Sequence, residues 1–194
     1  MSPPADLAPF LRSYFYIQSH AWPGITAAPP HPLSGPDDTH KARLPHQYIL
    51  PLHATMKEVI STLMGQTNCT LATAEAGSAP WFSAADLAVY VNEFSRTGFQ
   101  GMLNGYRVLS TPSLMNELQL WAGKKVEVPS LFLGGDKDWS LYQLPGALEG
   151  LGKSNAKFYG VKIIHNCGHY PHQERPEEMA AVALDFLSVI RDRR

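Results

Sequence analysis

Cysteine is scarce: Cys69 and Cys167 are the only two in 194 residues, and they stand far apart. That spacing excludes a disulfide-stapled scaffold and a paired-cysteine zinc site, and it suits a reducing compartment. No stretch comes near the roughly 18 consecutive apolar residues that a membrane span requires. The opening MSPPADLAPFLRSYFY has neither the basic flank nor the apolar core of an export signal, so a cytoplasmic location is expected. An excess of one charge is lacking too. Lys and Arg number 16 against 17 Asp and Glu, a net charge of -1, which argues against a nucleic-acid partner. No internal repeat is present. What remains is 44% hydrophobic, enough for one buried core.

Proline is plentiful in the first part of the chain, where Pro23, Pro29, Pro30, Pro32, Pro36, Pro45 and Pro51 break regular elements into short pieces. The pattern predicts a helix over residues 7 to 19, then a loop-rich excursion between Trp22 and Pro51. A second helix is expected near residues 54 to 64, and TNCTLATAEAGSAPW reads as a small-residue linker. In WFSAADLAVYVNEFSRTGF, Ser83 and Asp86 form a capping box and Leu87, Tyr90, Val91 and Phe94 recur at helical spacing, with Gly98 as the stop. Another helix is expected from about Leu114 to Ala122. The apolar run from Val128 to Gly135 reads as a buried parallel strand, followed by a helical segment over residues 142 to 151. A second strand over residues 157 to 165 and an amphipathic helix from Pro176 to about Arg191 complete the pattern. Strand, helix, strand, helix is the alternation of an open α/β sheet. Two strands are too few for a sheet covered on both faces, so the pattern points to an incomplete one.

Side chains converge at the carboxyl ends of strands in such sheets. One end carries Gly134-Gly135-Asp136-Lys137-Asp138-Trp139 and the other Asn166-Cys167-Gly168-His169-Tyr170-Pro171. A carboxylate facing an imidazole there would set the histidine tautomer and stabilise the imidazolium formed when it accepts a proton. Two other readings compete. Asp138 can simply cap the following helix while His169 fills a turn, and His165, Cys167, His169 and His172 can be weighed as metal ligands.

The segments VPSLFLGGDKDWSLYQLPGALE and IIHNCGHYPHQERPEEMAAVALDFL resemble the last two strand ends of the α/β-hydrolase fold in the epoxide hydrolase family, and EFSRTGFQGMLNGYR resembles that family's cap. Weaker similarity runs back through LPHQYILPL and FLRSYFYIQSHAW. The resemblance implies His169 as general base, Asp138 as its acid partner and Tyr106 as the lid proton donor. Trp139, which keeps the family pattern after the acid together with Gln143, is implied as a substrate contact. In the family reaction an aspartate attacks one epoxide carbon while tyrosine hydroxyls polarise the oxygen; the histidine then activates water to cleave the resulting ester into a vicinal diol. No cofactor and no metal are implied.

The chain departs from that pattern at the nucleophile. Neither G-x-S-x-G nor G-x-D-x-G occurs, although the elbow's strained turn demands small residues on both sides. Asp136 is the nearest approach, and Lys137 follows it where a small residue is needed. The first lid tyrosine has no clear counterpart; Tyr14, Tyr16 and Tyr48 are weak substitutes, each better read as structural. Gly105 stands where the family places an aromatic residue beside the lid tyrosine. The expectation is therefore a partial α/β-hydrolase fold, with residues 1-122 as a helical cap or lid segment and 123-194 as the C-terminal part of the core. It would be a fragment or truncated form of an epoxide hydrolase, inactive alone, acting on a small apolar epoxide if complemented by an N-terminal hydrolase half, or else self-associating. The alternatives are a non-catalytic pseudoenzyme or binding protein, and part of another α/β-hydrolase such as an esterase or haloalkane dehalogenase.

Overall fold

In the computed structural model, residues 6–33 and 42–192 are described; Pro36 and the middle of the expected excursion lie outside them. The first helix, α1 (Leu7–Ile17), is the hub of the molecule. Its apolar residues cover more than one face, and it buries both. Leu7, Leu11 and Phe15 pack into one cluster with Phe82 and Phe99, while Tyr16 and Ile17 pack into another with Trp22, Ile60, Met64 and Trp139. A helix apolar on most sides belongs in an interior.

Around α1 stand α2 (Pro23–Ala27), α3 (Met56–Gln66), α4 (Leu71–Ser78) and α5 (Ala84–Thr97), and α1 touches α3, α4 and α5. Three of these helices start on a capping box, through Thr55 with Glu58, Thr70 with Thr73 and Ser83 with Asp86. Each satisfies amide groups that the first turn otherwise leaves free. Gly98 ends α5 at φ 64, a conformation that favours glycine. The expected linker over residues 67 to 81 is instead the helix α4. Its small residues are what let it lie close on α1: Ala74 and Ser78 are fully buried, and a Cβ on Gly77 would come within 2.7 Å of the Tyr16 ring. Arg12 of α1 fastens this corner, donating to Ser78 Oγ at 3.0 Å and to the Phe82 carbonyl, with its guanidinium over the Phe82 ring.

Next come α6 (Gln100–Leu109), which the sequence pattern does not announce, and α7 (Pro112–Met115), continued by a 3-10 turn over Asn116–Trp121. The single helix expected from Leu114 to Ala122 is thus shorter and changes pitch. β1 (Ser130–Gly135) pairs in parallel with β2 (Phe158–Ile164), in the register Phe132 to Val161 through Gly135 to Ile164. Between them lie a 3-10 turn at Trp139–Tyr142 and α8 (Ala147–Ser154). After β2, α9 (Pro171–Glu174) turns the chain into α10 (Pro176–Arg191). Among the described residues the sheet has two strands. This corrects the expected burial of the first strand: Ser130 to Leu133 are half-buried, only Gly134 and Gly135 are buried, and Val128 is 65% exposed before the strand begins. A strand with one neighbour and few covering helices cannot be enclosed.

Candidate active site

At the carboxyl ends of β1 and β2 the two turns press directly on each other. A Cβ on Gly135 would lie 2.2 Å from the Cys167 carbonyl oxygen, so only glycine permits the contact. Hydrogen bonds knit the same seam: Asp136 N–H donates to the Ile164 carbonyl at 3.0 Å and Lys137 N–H to the Cys167 carbonyl at 2.8 Å. This apposition carries Asp138 and His169 together across 31 residues of sequence, with His169 Nδ1 2.9 Å from Asp138 Oδ2. The capping alternative is realised as well, since Asp138 accepts the Ser140 N–H at 2.9 Å and thereby starts the 3-10 turn.

Asp138 is buried and takes four hydrogen bonds. Oδ1 accepts from Ser140 N–H and, at 3.0 Å, from the Tyr48 hydroxyl; Oδ2 accepts from His169 and from Ser140 Oγ. Burial alone would raise the carboxyl's pKa, but the bond and charge of His169, with the Ser140 bonds, outweigh it and hold the group below the usual carboxylate range. For His169, burial works to lower the pKa and the Asp138 carboxylate to raise it, and the carboxylate wins. The ring keeps 37% of its side-chain surface exposed, against 8% for Asp138, so Nε2 can face a water while Nδ1 is committed to the acid. Tyr48 stands edge-on to this ring at 6.0 Å between centroids. Its hydroxyl is pushed well above the ordinary tyrosine range by burial and then by the Asp138 charge, which leaves it a firm donor.

The remaining sequence candidates fall elsewhere. Tyr106 lies on α6 with 71% of its surface exposed, and no hydrogen bond or ring contact joins it to the pair among the described residues. Trp139 is 2% exposed in the main core, donating from Nε1 to the Ala28 carbonyl at 3.3 Å, so its surface is taken up by packing. Asp136 accepts the Cys167 N–H at 3.3 Å and lies 3.5 Å from His165, serving the seam between the turns. Tyr16 is a core residue, and Tyr14 is partly buried against both apolar clusters. No group of three or more potential metal ligands gathers among the described residues. The Cys167 thiol is fully buried, and burial, then the nearby Glu174 charge, pushes it up to about 12.

Two residues at the site have roles that the sequence pattern does not reveal. Tyr48 reads there only as a weak lid substitute, and Glu174, inside the run ERPEE, resembles the solvated acidic start of a helix. Glu174 is in fact buried, with its carboxylate bound to Gly168 N–H at 3.0 Å and to His20 Nδ1 at 2.8 Å. Two surface pockets between the start of α5 and the α9–α10 corner are lined by Trp81, Asp86, Gln173 and Pro176; neither is lined by Asp138, His169 or Tyr106.

No protein-family model matches the chain. Epoxide hydrolase B of Mycobacterium tuberculosis is 35% identical over 111 residues, which cover 57% of this chain and 31% of that protein. Among solved structures, potato (Solanum tuberosum) epoxide hydrolase I matches with a TM-score of 0.52 at 33% identity, covering 58% of this chain and 36% of the other. A laboratory-evolved variant of the potato enzyme aligns over 96% of this chain with a TM-score of 0.56 at 22% identity, a likeness of fold. The chain spans about a third of the length of the curated relatives it matches.

Proposed function

We propose that this chain, a relative of the epoxide hydrolases of the α/β-hydrolase superfamily over more than half its length, supplies the hydrolytic half of an epoxide hydrolase reaction. The observation that carries this reading is the 2.9 Å bond from His169 Nδ1 to Asp138, which leaves Nε2 without a hydrogen-bond partner among the described residues on a ring with 37% of its side-chain surface exposed. In the full reaction a carboxylate nucleophile from a complementary unit attacks an epoxide carbon. The carbon–oxygen bond breaks and the alkoxide takes a proton from a tyrosine. Water then gives a proton to His169 Nε2 as it adds to the ester carbonyl; the tetrahedral intermediate expels the diol oxygen, which takes that proton from the imidazolium, and the carboxylic acid left behind ionises, its proton restoring the tyrosine.

Tyr106 is our candidate for the proton donor. An exposed phenol in water has no preference for an epoxide oxygen, so its role requires α6 to be covered, as a complementary hydrolase half would cover it. The 1-122 and 123-194 division then has a functional meaning, a lid segment that shapes the substrate space and a core segment that carries the base. A small apolar epoxide is the substrate class, and the two free thiols suit a cytoplasmic setting. No described helix is long and apolar enough to cross a membrane.

The test uses a styrene-oxide-type epoxide. The purified chain alone is expected to form no diol, and adding a separately produced N-terminal hydrolase half with an aspartate elbow is expected to restore formation. Replacing His169→Ala in the mixture should abolish it. A folded mixture that stays inactive refutes the proposal; turnover by the isolated chain that His169→Ala removes refutes its dependence on a second unit.

A further inference from the structure

We propose that Glu174 is a positioning residue that, together with His20, seats the His169 turn against Asp138; this rests on the hydrolytic-pair reading and deepens it. The Glu174 carboxylate is buried and accepts from both amides that flank His169, Gly168 N–H at 3.0 Å and Tyr170 N–H at 3.4 Å. It also accepts from His20 twice, the main-chain N–H at 3.0 Å and the ring Nδ1 at 2.8 Å. The amide of His169 itself donates to the Gln18 carbonyl, just past α1, at 3.0 Å. Three successive amides are thereby fixed, two by one carboxylate and the middle one by the segment that the same carboxylate holds through His20.

Fixed amides at 168, 169 and 170 leave the backbone there little torsional freedom, and backbone torsions set the direction of the Cα–Cβ bond that aims the imidazole. Gly168 is part of the device. A Cβ there would sit 2.2 Å from the Gln18 carbonyl oxygen and 2.9 Å from Glu174 Oε1, so any larger residue would push the turn away from both anchors. A buried carboxylate is expensive unless fully bonded, and the hydrogen-bond partners of this one are Gly168 and Tyr170 on either side of His169 and His20 just past α1. An apolar side chain of similar volume would leave these N–H groups without acceptors, whereas one carboxylate collects several of them at one point beside His169.

The test is imidazole NMR on the intact chain, which requires no turnover. Wild type is expected to show a low-field Nδ1 proton for His169 and a titration midpoint above the ordinary histidine value. In Glu174→Gln the side-chain amide turns a donor toward donors; the low-field proton should be lost, and the midpoint should fall through lost charge as well as lost seating, so the proton signal decides the positioning role. Glu174→Asp, which keeps the charge, should recover part of both. A folded Glu174→Gln variant, shown by near-ultraviolet circular dichroism, that keeps the low-field proton overturns the proposal. Should that variant not fold, His20→Ala, which leaves the carboxylate and both turn amides in place, is expected to move the midpoint downward by less, and an unmoved midpoint overturns the proposal equally. If Asp138→Asn leaves the wild-type titration unmoved, the hydrolytic-pair reading fails first, a result distinct from failure of the Glu174 role.

Discussion

With bonds from Tyr48, Ser140 and His169 on both of its oxygens, the Asp138 carboxylate has no freedom to rotate away from the imidazole. The linked pKa shifts give the pair a defined pH range. The lowered Asp138 pKa contributes stability above its ordinary value of 3.8, lost as acid protonates it; the raised His169 pKa contributes below 6.5, lost as pH rises through the shifted value. The contribution is therefore fullest between those two values, whereas the base form needed for water activation grows above the shifted histidine pKa. Asp138→Asn leaves burial as the main influence on the ring, so its titration midpoint should fall below the ordinary histidine value. Nuclear magnetic resonance of the His169 ring measures this, and a midpoint that stays raised would refute the account. Two strand-end turns with glycines mark a convergence point in the sequence, where capping and metal readings also compete, and it is the family resemblance that singles out Asp138 and His169. Tyr48 and Glu174 are not legible there, because a tyrosine in a loop and a glutamate in a charged run take their meaning from partners about 90 and 150 residues away.

At the level of elements, α5 is legible from its capping box and its apolar spacing, and both are realised in the structure. The helix α4 is not, because TNCTLATAEAGS has no apolar stripe; it is helical through its Thr70 cap and its close seat on α1, a tertiary effect that overrides local pattern. Glycines divide along the same line. Gly105, in the middle of α6 with open space for 4 Å around the point a Cβ would occupy, should gain about 0.5–1 kcal/mol on replacement by alanine. Gly135→Ala, pressed against the Cys167 carbonyl, should lose about 1–3 kcal/mol and disturb the strand-end seam. Thermal melts of the two variants should move in opposite directions, and a Gly135→Ala protein as stable as wild type would show that the turns can part without cost.

For the molecule as a whole, the two-stranded sheet leaves one edge of β1 without a strand among the described residues, and large apolar side chains lie open at Leu120, Trp121, Leu144, Leu184 and Leu187. Edges and apolar patches of this kind favour association. Sedimentation is expected to give an average mass that rises with protein concentration; a monomer at all accessible concentrations would show that these surfaces are tolerated in water. The fold class is legible because strand and helix alternate in the last third, and the incompleteness of the sheet is legible from counting strands. The packing of the first helix at the centre is not, since α1 gains its meaning from partners spread over the rest of the chain.

The tie between His20 and Glu174 joins residues 154 positions apart. During synthesis the first of them leaves the ribosome long before the second, and the histidine turn must wait for both. Until the later glutamate emerges, the earlier helix lacks partners such as Trp139 and Tyr170 and the proton-accepting ring lacks its seat, so competence to handle a proton comes only once distant parts of the polypeptide meet.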